Sequence, residues 1–202
     1  MTWTPEGVPV PAIGTDDPLY IGVTGHRPQS FRTDDDSIWS LGRVEVMLDF
    51  LRTWAGLQGR GVVLMTGMAI GTDQWVASLA LRRAFAVHAV LPFVGQESKW
   101  RMGERETYRA ILSAAWRVTT LQSQEPRSKQ QAVSWLYARN TWMADYVGSP
   151  GRLSCGIAIW NGEPSGTAHA VTRFRERSVP LLTINPGTHL CEVDPTFPGY
   201  QP

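Results

Sequence analysis

Short apolar runs that stop at a turn residue and give way to helical spacing constrain this chain more than any other feature. LYIGVTG at 19–25, GVVLMTG at 61–67 and AVHAVLPF at 86–93 are such runs, closed by Gly25, Gly67 and Pro92, and SCGIAIW at 154–160 is another. Between them, apolar residues recur at the period of a helix face. Strand and helix alternating in this way imply a mostly parallel sheet covered on both faces and joined by right-handed crossovers.

The expected fold is therefore α/β, a single Rossmann-like domain over 19–186, preceded by a Pro-rich arm at 1–18 and followed by a tail at 187–202 with no packed element. Ligands of such sheets bind outside the carboxyl ends of strands, where strand order reverses, so the loops after Val23, Met65, Pro92 and Trp160 should share one edge.

Along the chain, TDDDS at 33–37 offers N-caps for a helix from about Ile38 to Leu57, with Leu41, Val44, Leu48, Leu51 and Trp54 on one face. Its three Asp read as a solvated cap that suits the helix dipole, since no metal-ligand partners are spaced around them. After the second strand, Thr72 or Asp73 can cap the next helix, and Asp73 can equally meet a ligand hydroxyl. A polar loop at 94–103 holds Gln96, Glu97 and Lys99. Helical spacing over 104–115 precedes a fourth strand at 116–121. From Gln131 a long helix places Val133, Leu136, Tyr137, Trp142, Met143 and Tyr146 toward the core. Arg139, Asn140 and Asp145 interrupt it, and an Arg there makes either a surface ion pair or a buried phosphate or base contact. A helix at 167–177 and the strand in SVPLLTINP complete the domain.

Composition removes several function classes. A formal net charge of +1 with 18% charged residues provides no basic field for nucleic acid. Cys155 and Cys191 make neither a disulfide framework nor a metal site and suit a reducing compartment. The start lacks a basic region followed by an apolar stretch, and no uncharged apolar run nears the roughly 20 residues of a membrane span, so a soluble cytoplasmic protein is expected. His26, His88, His169 and His189 lack metal spacing. Neither GxGxxG after the first strand, GxxxxGK[ST] nor GxSxG is present, and no cofactor is implied.

One stretch concentrates the remaining signal. In SCGIAIWNGEPSGTAHA at 154–170 a buried strand runs through turn residues into a helix, which points unpaired backbone N–H groups and a positive helix end at the same edge. That arrangement suits a phosphate, and it is also what an ordinary strand-to-helix connection requires.

Taken in order, VTGHRP, TGMAIGTDQWVA, LPF with its Gln/Glu/Lys/Trp loop, ARNTWMAD and IAIWNGEPSGTAHAV resemble the YpsA-like branch of the SLOG superfamily. DprA/Smf proteins and the Lonely-guy cytokinin phosphoribohydrolases belong to the same superfamily. The resemblance spans 19–186 and implies a nucleotide-binding domain. Gly25, His26 and Arg27 would then contact ligand beside the first strand, with Gly71 and Asp73 at the second turn. Ser165, Gly166 and Thr167 would hold phosphate, and Arg139 with Asn140 would join the site.

The sequence departs from the phosphoribohydrolases of this superfamily at the position of their catalytic carboxylate. Where the phosphoribohydrolases carry a catalytic Glu in PGGxGTxxE, this chain reads EPSGTAHA and places Ala170. A carboxylate is the usual stabiliser of the oxocarbenium-like state in N-glycosidic hydrolysis, so its loss favours binding of a nucleotide or nucleotide-derived small molecule, by sensing or sequestration. The alternative is a nucleoside-phosphate N-glycosidase or related nucleotide hydrolase in which Asp73, Glu97 or His169 substitutes. DNA binding of the DprA kind ranks last on charge. The resemblance also implies a homo-oligomer paired through helices.

Overall fold

A computed structural model of the protein describes residues 17–200, so most of the expected arm at 1–18 lies outside the described residues. Seven strands form one sheet: β1 (Leu19–Gly25), β2 (Val62–Thr66), β3 (Ala86–Leu91), β4 (Arg117–Thr120), β5 (Ser154–Ile159), β6 (Leu181–Asn185) and β7 (Leu190–Val193). Five α-helices cover it: α1 (Asp34–Leu57), α2 (Thr72–Arg82), α3 (Met102–Ala114), α4 (Lys129–Val147) and α5 (Gly166–Glu176). The sheet order is β4-β3-β2-β1-β5-β6-β7, and every pairing is parallel except that of β6 with β7.

The order reverses at β1. It pairs with β2 on one side and with β5 on the other, with Gly25 opposite Ile159 at the carboxyl end. The chain leaves the sheet centre at β1, works outward to β4, and returns over α4 to β5. This crossover opens a crevice between the loops that follow β1 and β5.

Alternation along the strands divides the core into two layers. Ile21, Val23, Leu64, Val87 and Ile157 pack beneath α1, α2 and α3 through Val44, Leu48, Val76 and Tyr108. Met65, Val90 and Ala158 face the other way, against Met143, Val147, Val171 and Phe174 of α4 and α5. The central strands are apolar on both faces because both are covered.

Three local expectations change. Helix α1 starts at Asp34, because Thr33 forms a capping box with Asp36: Thr33 Oγ1 accepts from Asp36 N and Asp36 Oδ2 accepts from Thr33 N, both at 3.1 Å. At α2 neither Thr72 nor Asp73 is the cap. Gly71 holds that position at φ +97°, which frees Thr72 Oγ1 to donate to His26 O at 2.9 Å and lets Asp73 accept from Ala69 N at 3.1 Å.

The third change is in the tail, where 190–193 forms strand β7. Asn185 Oδ1 accepts from Gly187 N and Thr188 N, His189 turns through φ 56°, and the chain doubles back along β6. His189 stacks on Trp39 with ring centres 4.5 Å apart and bonds Asp36 at 3.0 Å, while Phe197 is buried in the core. Edge strand LCEV is mostly exposed, so it lacks the apolar signal that marks the other strands.

Candidate functional site

At the carboxyl edge, beside the β1/β5 crevice, lies a cleft of about 300 Å³. Its walls come from the loop after β1 (Thr24, Gly25, His26, Arg27, Ser30), the turn after β2 (Ala69, Asp73), helix α4 (Val133, Leu136, Tyr137, Arg139, Asn140) and the start of α5 (Ser165, Gly166, Thr167).

His26 ties the first loop to the last. Its Nε2 accepts from Asn161 N at 3.0 Å while its backbone N–H donates to Ile159 O at 3.1 Å, so the loops after β1 and β5 are clamped together. Burial lowers the imidazole's pKa, which keeps the ring neutral and Nε2 free to accept.

Arg139 and Asp73 form the charged centre. Nη1 stands 3.6 Å from Oδ2, and both side chains are almost fully buried, at 7% and 6% exposure. Burial pushes the Asp73 carboxyl up against the pull of Arg139, and pulls the Arg139 guanidinium down against the pull of Asp73. Arg27 adds a second positive charge acting on both. The Nε of Arg139 is buried without a hydrogen-bond partner. Two cations therefore face one carboxylate in a concave site.

The turn after β2 is shaped around that guanidinium. Met68 occupies the left-handed region at φ 58°, its N–H donating to Thr66 Oγ1 at 3.2 Å and its carbonyl accepting from Gln74 and Gln96. A non-glycine residue so placed stores strain of order 1 kcal/mol, and these bonds hold it there.

Helix α5 brings its N-terminal turn to the cleft. Ser165 is its N-cap, Oγ accepting from Ala168 N at 3.1 Å, and the first-turn N–H groups of Gly166 and Thr167 have no partner within the helix. Asn140 Nδ2 donates to Gly166 O at 3.0 Å and fixes this turn against α4.

Of the residues singled out in the sequence, Gly25, His26, Arg27, Asp73, Arg139, Asn140, Ser165, Gly166 and Thr167 line this one cleft. Gly71 sits behind it, where a Cβ would lie 2.8 Å from Pro28 Cδ and 2.9 Å from His26 O. Glu97 is elsewhere, 3.9 Å from Arg109. His169 stands one turn into α5, stacked flat on Tyr137. Ala170 is buried with Asp73, Arg139 and Asn140 around a void of about 10 Å³, beside Arg139 and without a carboxylate.

The apolar wall on α4 corrects a sequence expectation. Val133 and Tyr137, placed toward the core by their spacing, are 39% and 41% exposed and line the cleft with Leu136. Trp142 and Tyr146 are only partly buried, whereas Met143 does reach the core. A larger groove of about 440 Å³ runs between the end of α5 and β6/β7, but Arg175, Glu192 and Asp194 line it with mixed charge, and neither a buried cation nor a helix start points into it.

Searched against protein-family models, the chain matches none. It is 32% identical over 104 residues to a UPF0398 protein of Bacillus velezensis and 30% identical over 105 residues to one of Bacillus licheniformis, covering 47% of this chain and 54% of the relative in each case. The chain thus spans about half the length of the curated relatives it matches. Among solved structures it resembles DNA processing protein A (DprA) from Streptococcus pneumoniae, with a TM-score of 0.54 and 18% identity over 83% of this chain and 50% of that one. At 18% identity the latter likeness shows the fold alone.

Proposed function

We propose that the cleft binds a nucleotide or nucleotide-derived small molecule and that the protein acts by sensing or sequestering it. Arg139 carries this reading: a buried guanidinium with an unpartnered Nε lines a cleft that also contains the first turn of α5. A buried cation with spare donor capacity, beside a helix N-terminus, is matched by a phosphate that accepts from both. Arg27 strengthens the attraction, and Asp73 offsets only one of the two positive charges. With Ala170 in place of a carboxylate beside Arg139, the site favours holding the ligand over cleaving it.

One observation favours a second reading, a nucleoside-phosphate N-glycosidase. Asp73 lies in the cleft with its carboxyl pKa raised by burial, as a general acid requires. Incubation with nucleoside monophosphates, followed by thermal unfolding and chromatography, separates the two. A rise in melting temperature with the nucleotide recovered intact supports the binder. Release of free base, abolished by Asp73→Asn, replaces it with the hydrolase.

A further inference from the structure

We infer that the cleft takes a mononucleotide whose base stacks on the ring of Tyr137, an assignment that rests on the nucleotide-binding reading above and names the part of the ligand that reading leaves open.

Helix α4 presents two kinds of surface to the same cleft. Arg139 and Asn140 form a polar surface carrying one charge, and Val133, Leu136 and Tyr137, spaced by three and four residues, form an apolar surface just before it. A free phosphate would use only the first. Leaving Val133 and Tyr137 about two-fifths exposed at the lip of a polar cleft is explained by a ligand that carries an apolar, flat group next to its anion.

The ring of Tyr137 is held in position for such a group. His169 lies against it with ring centres 4.4 Å apart and planes within 9° of parallel. His169 belongs to α5, whose first turn provides the N–H groups for the phosphate, so one helix fixes both the anion end and the stacking partner. Burial and the nearby Arg173 lower the His169 pKa, so near neutral pH the pair is two uncharged rings that a third can extend.

Size selects a single nucleotide. About 300 Å³ lies at the lower end of ligand pockets, enough for one base, one ribose and phosphate, and small for a dinucleotide.

Calorimetric titration with the four nucleoside monophosphates, ribose 5-phosphate and inorganic phosphate tests the assignment on the full chain and on Tyr137→Phe, Tyr137→Leu and Tyr137→Ala. In the unaltered protein the best nucleotide should bind at least about tenfold more tightly than ribose 5-phosphate, the scale of one base–aromatic stack. Tyr137→Phe should keep that ratio. Tyr137→Leu, which retains apolar area but no ring, and Tyr137→Ala should bring it close to one while leaving ribose 5-phosphate affinity unchanged. Equal affinity for nucleotide and ribose 5-phosphate in the unaltered protein, or a ratio that survives Tyr137→Leu, overturns the base platform and leaves the phosphate site standing. Failure of every probe to bind overturns both.

Discussion

The guanidinium of Arg139 fills the space that a side chain on Gly67 would occupy: a Cβ built there would lie 0.9 Å from Nη1 and 2.0 Å from Cζ. Glycine directly after β2 is therefore a condition for Arg139 to reach the cleft, independent of backbone angle. The contact links a long-helix residue to a strand end 72 positions earlier in the chain.

Gly67→Ala should expel the guanidinium. Overpacking of a dense interior costs about 1–3 kcal/mol, and the displaced cation would also leave Asp73 buried without its partner. Urea unfolding should show the stability loss. Nucleotide affinity should fall at least as far as in Arg139→Gln, and near-normal affinity for Gly67→Ala would show that Arg139 does not act from its observed position.

Removing either member of the Arg139–Asp73 pair strands a buried charge, at a cost of about 3–5 kcal/mol. Arg139→Met and Asp73→Ala should each destabilise on this scale, and the double substitution should cost much less than their sum, as a double-mutant cycle in urea would reveal. Asp73→Asn takes a different course with ligand present. It deletes the one carboxylate among the cleft residues, so affinity for an anionic nucleotide should rise severalfold by calorimetry.

Much of the fold was legible because β1, β2 and β3 each end at a stop signal, Gly25, Gly67 or Pro92, followed by a helical period. The polar half of the candidate site was legible for a related reason: Arg139 and Asn140 break an apolar pattern, and a break is visible. Val133, Leu136 and Tyr137 break nothing. They repeat at core spacing, yet a crossover helix runs opposite to its strands, which leaves its first turns at the carboxyl edge over a cleft instead of over the sheet. Thr24, Ser30 and Ala69 line the same cleft and are too small and common to signal it. Strand β7 carries no apolar signal because LCEV is short, exposed and enclosed by turn residues.

The C-terminal hairpin should be part of the folding unit. Phe197 is 3% exposed and belongs to the larger core cluster, and truncation of a buried aromatic costs about 3–5 kcal/mol. Phe197→Ala should lower the unfolding midpoint in urea on that scale. His189→Ala, which loses the Asp36 bond and the Trp39 stack at a half-exposed position, should cost about 1 kcal/mol or less.

Acid should weaken the fold through His88. This residue is fully buried on β3, with Nε2 paired to Thr119 Oγ1 at 2.8 Å, Nδ1 without a partner, and Trp116, Trp142 and Tyr146 edge-on around the ring. Burial, aided by the charge of Arg117, lowers its pKa from 6.5 to about 4. As pH falls below 6.5 the unfolded chain takes up a proton that the folded chain refuses until about 4, so stability is whole above that window and drains within it. The full displacement is worth on the order of 3 kcal/mol. His26, also lowered by burial, adds in the same sense. Asp73 opposes it, because a raised carboxyl pKa makes the folded state the better proton binder. The His88 share is isolated by comparison with His88→Gln, which cannot titrate and can still bond Thr119. Urea unfolding at pH 7 and pH 4.5 should show a smaller loss for His88→Gln than for the unaltered chain, and equal losses would mean that His88 is protonated in the folded protein.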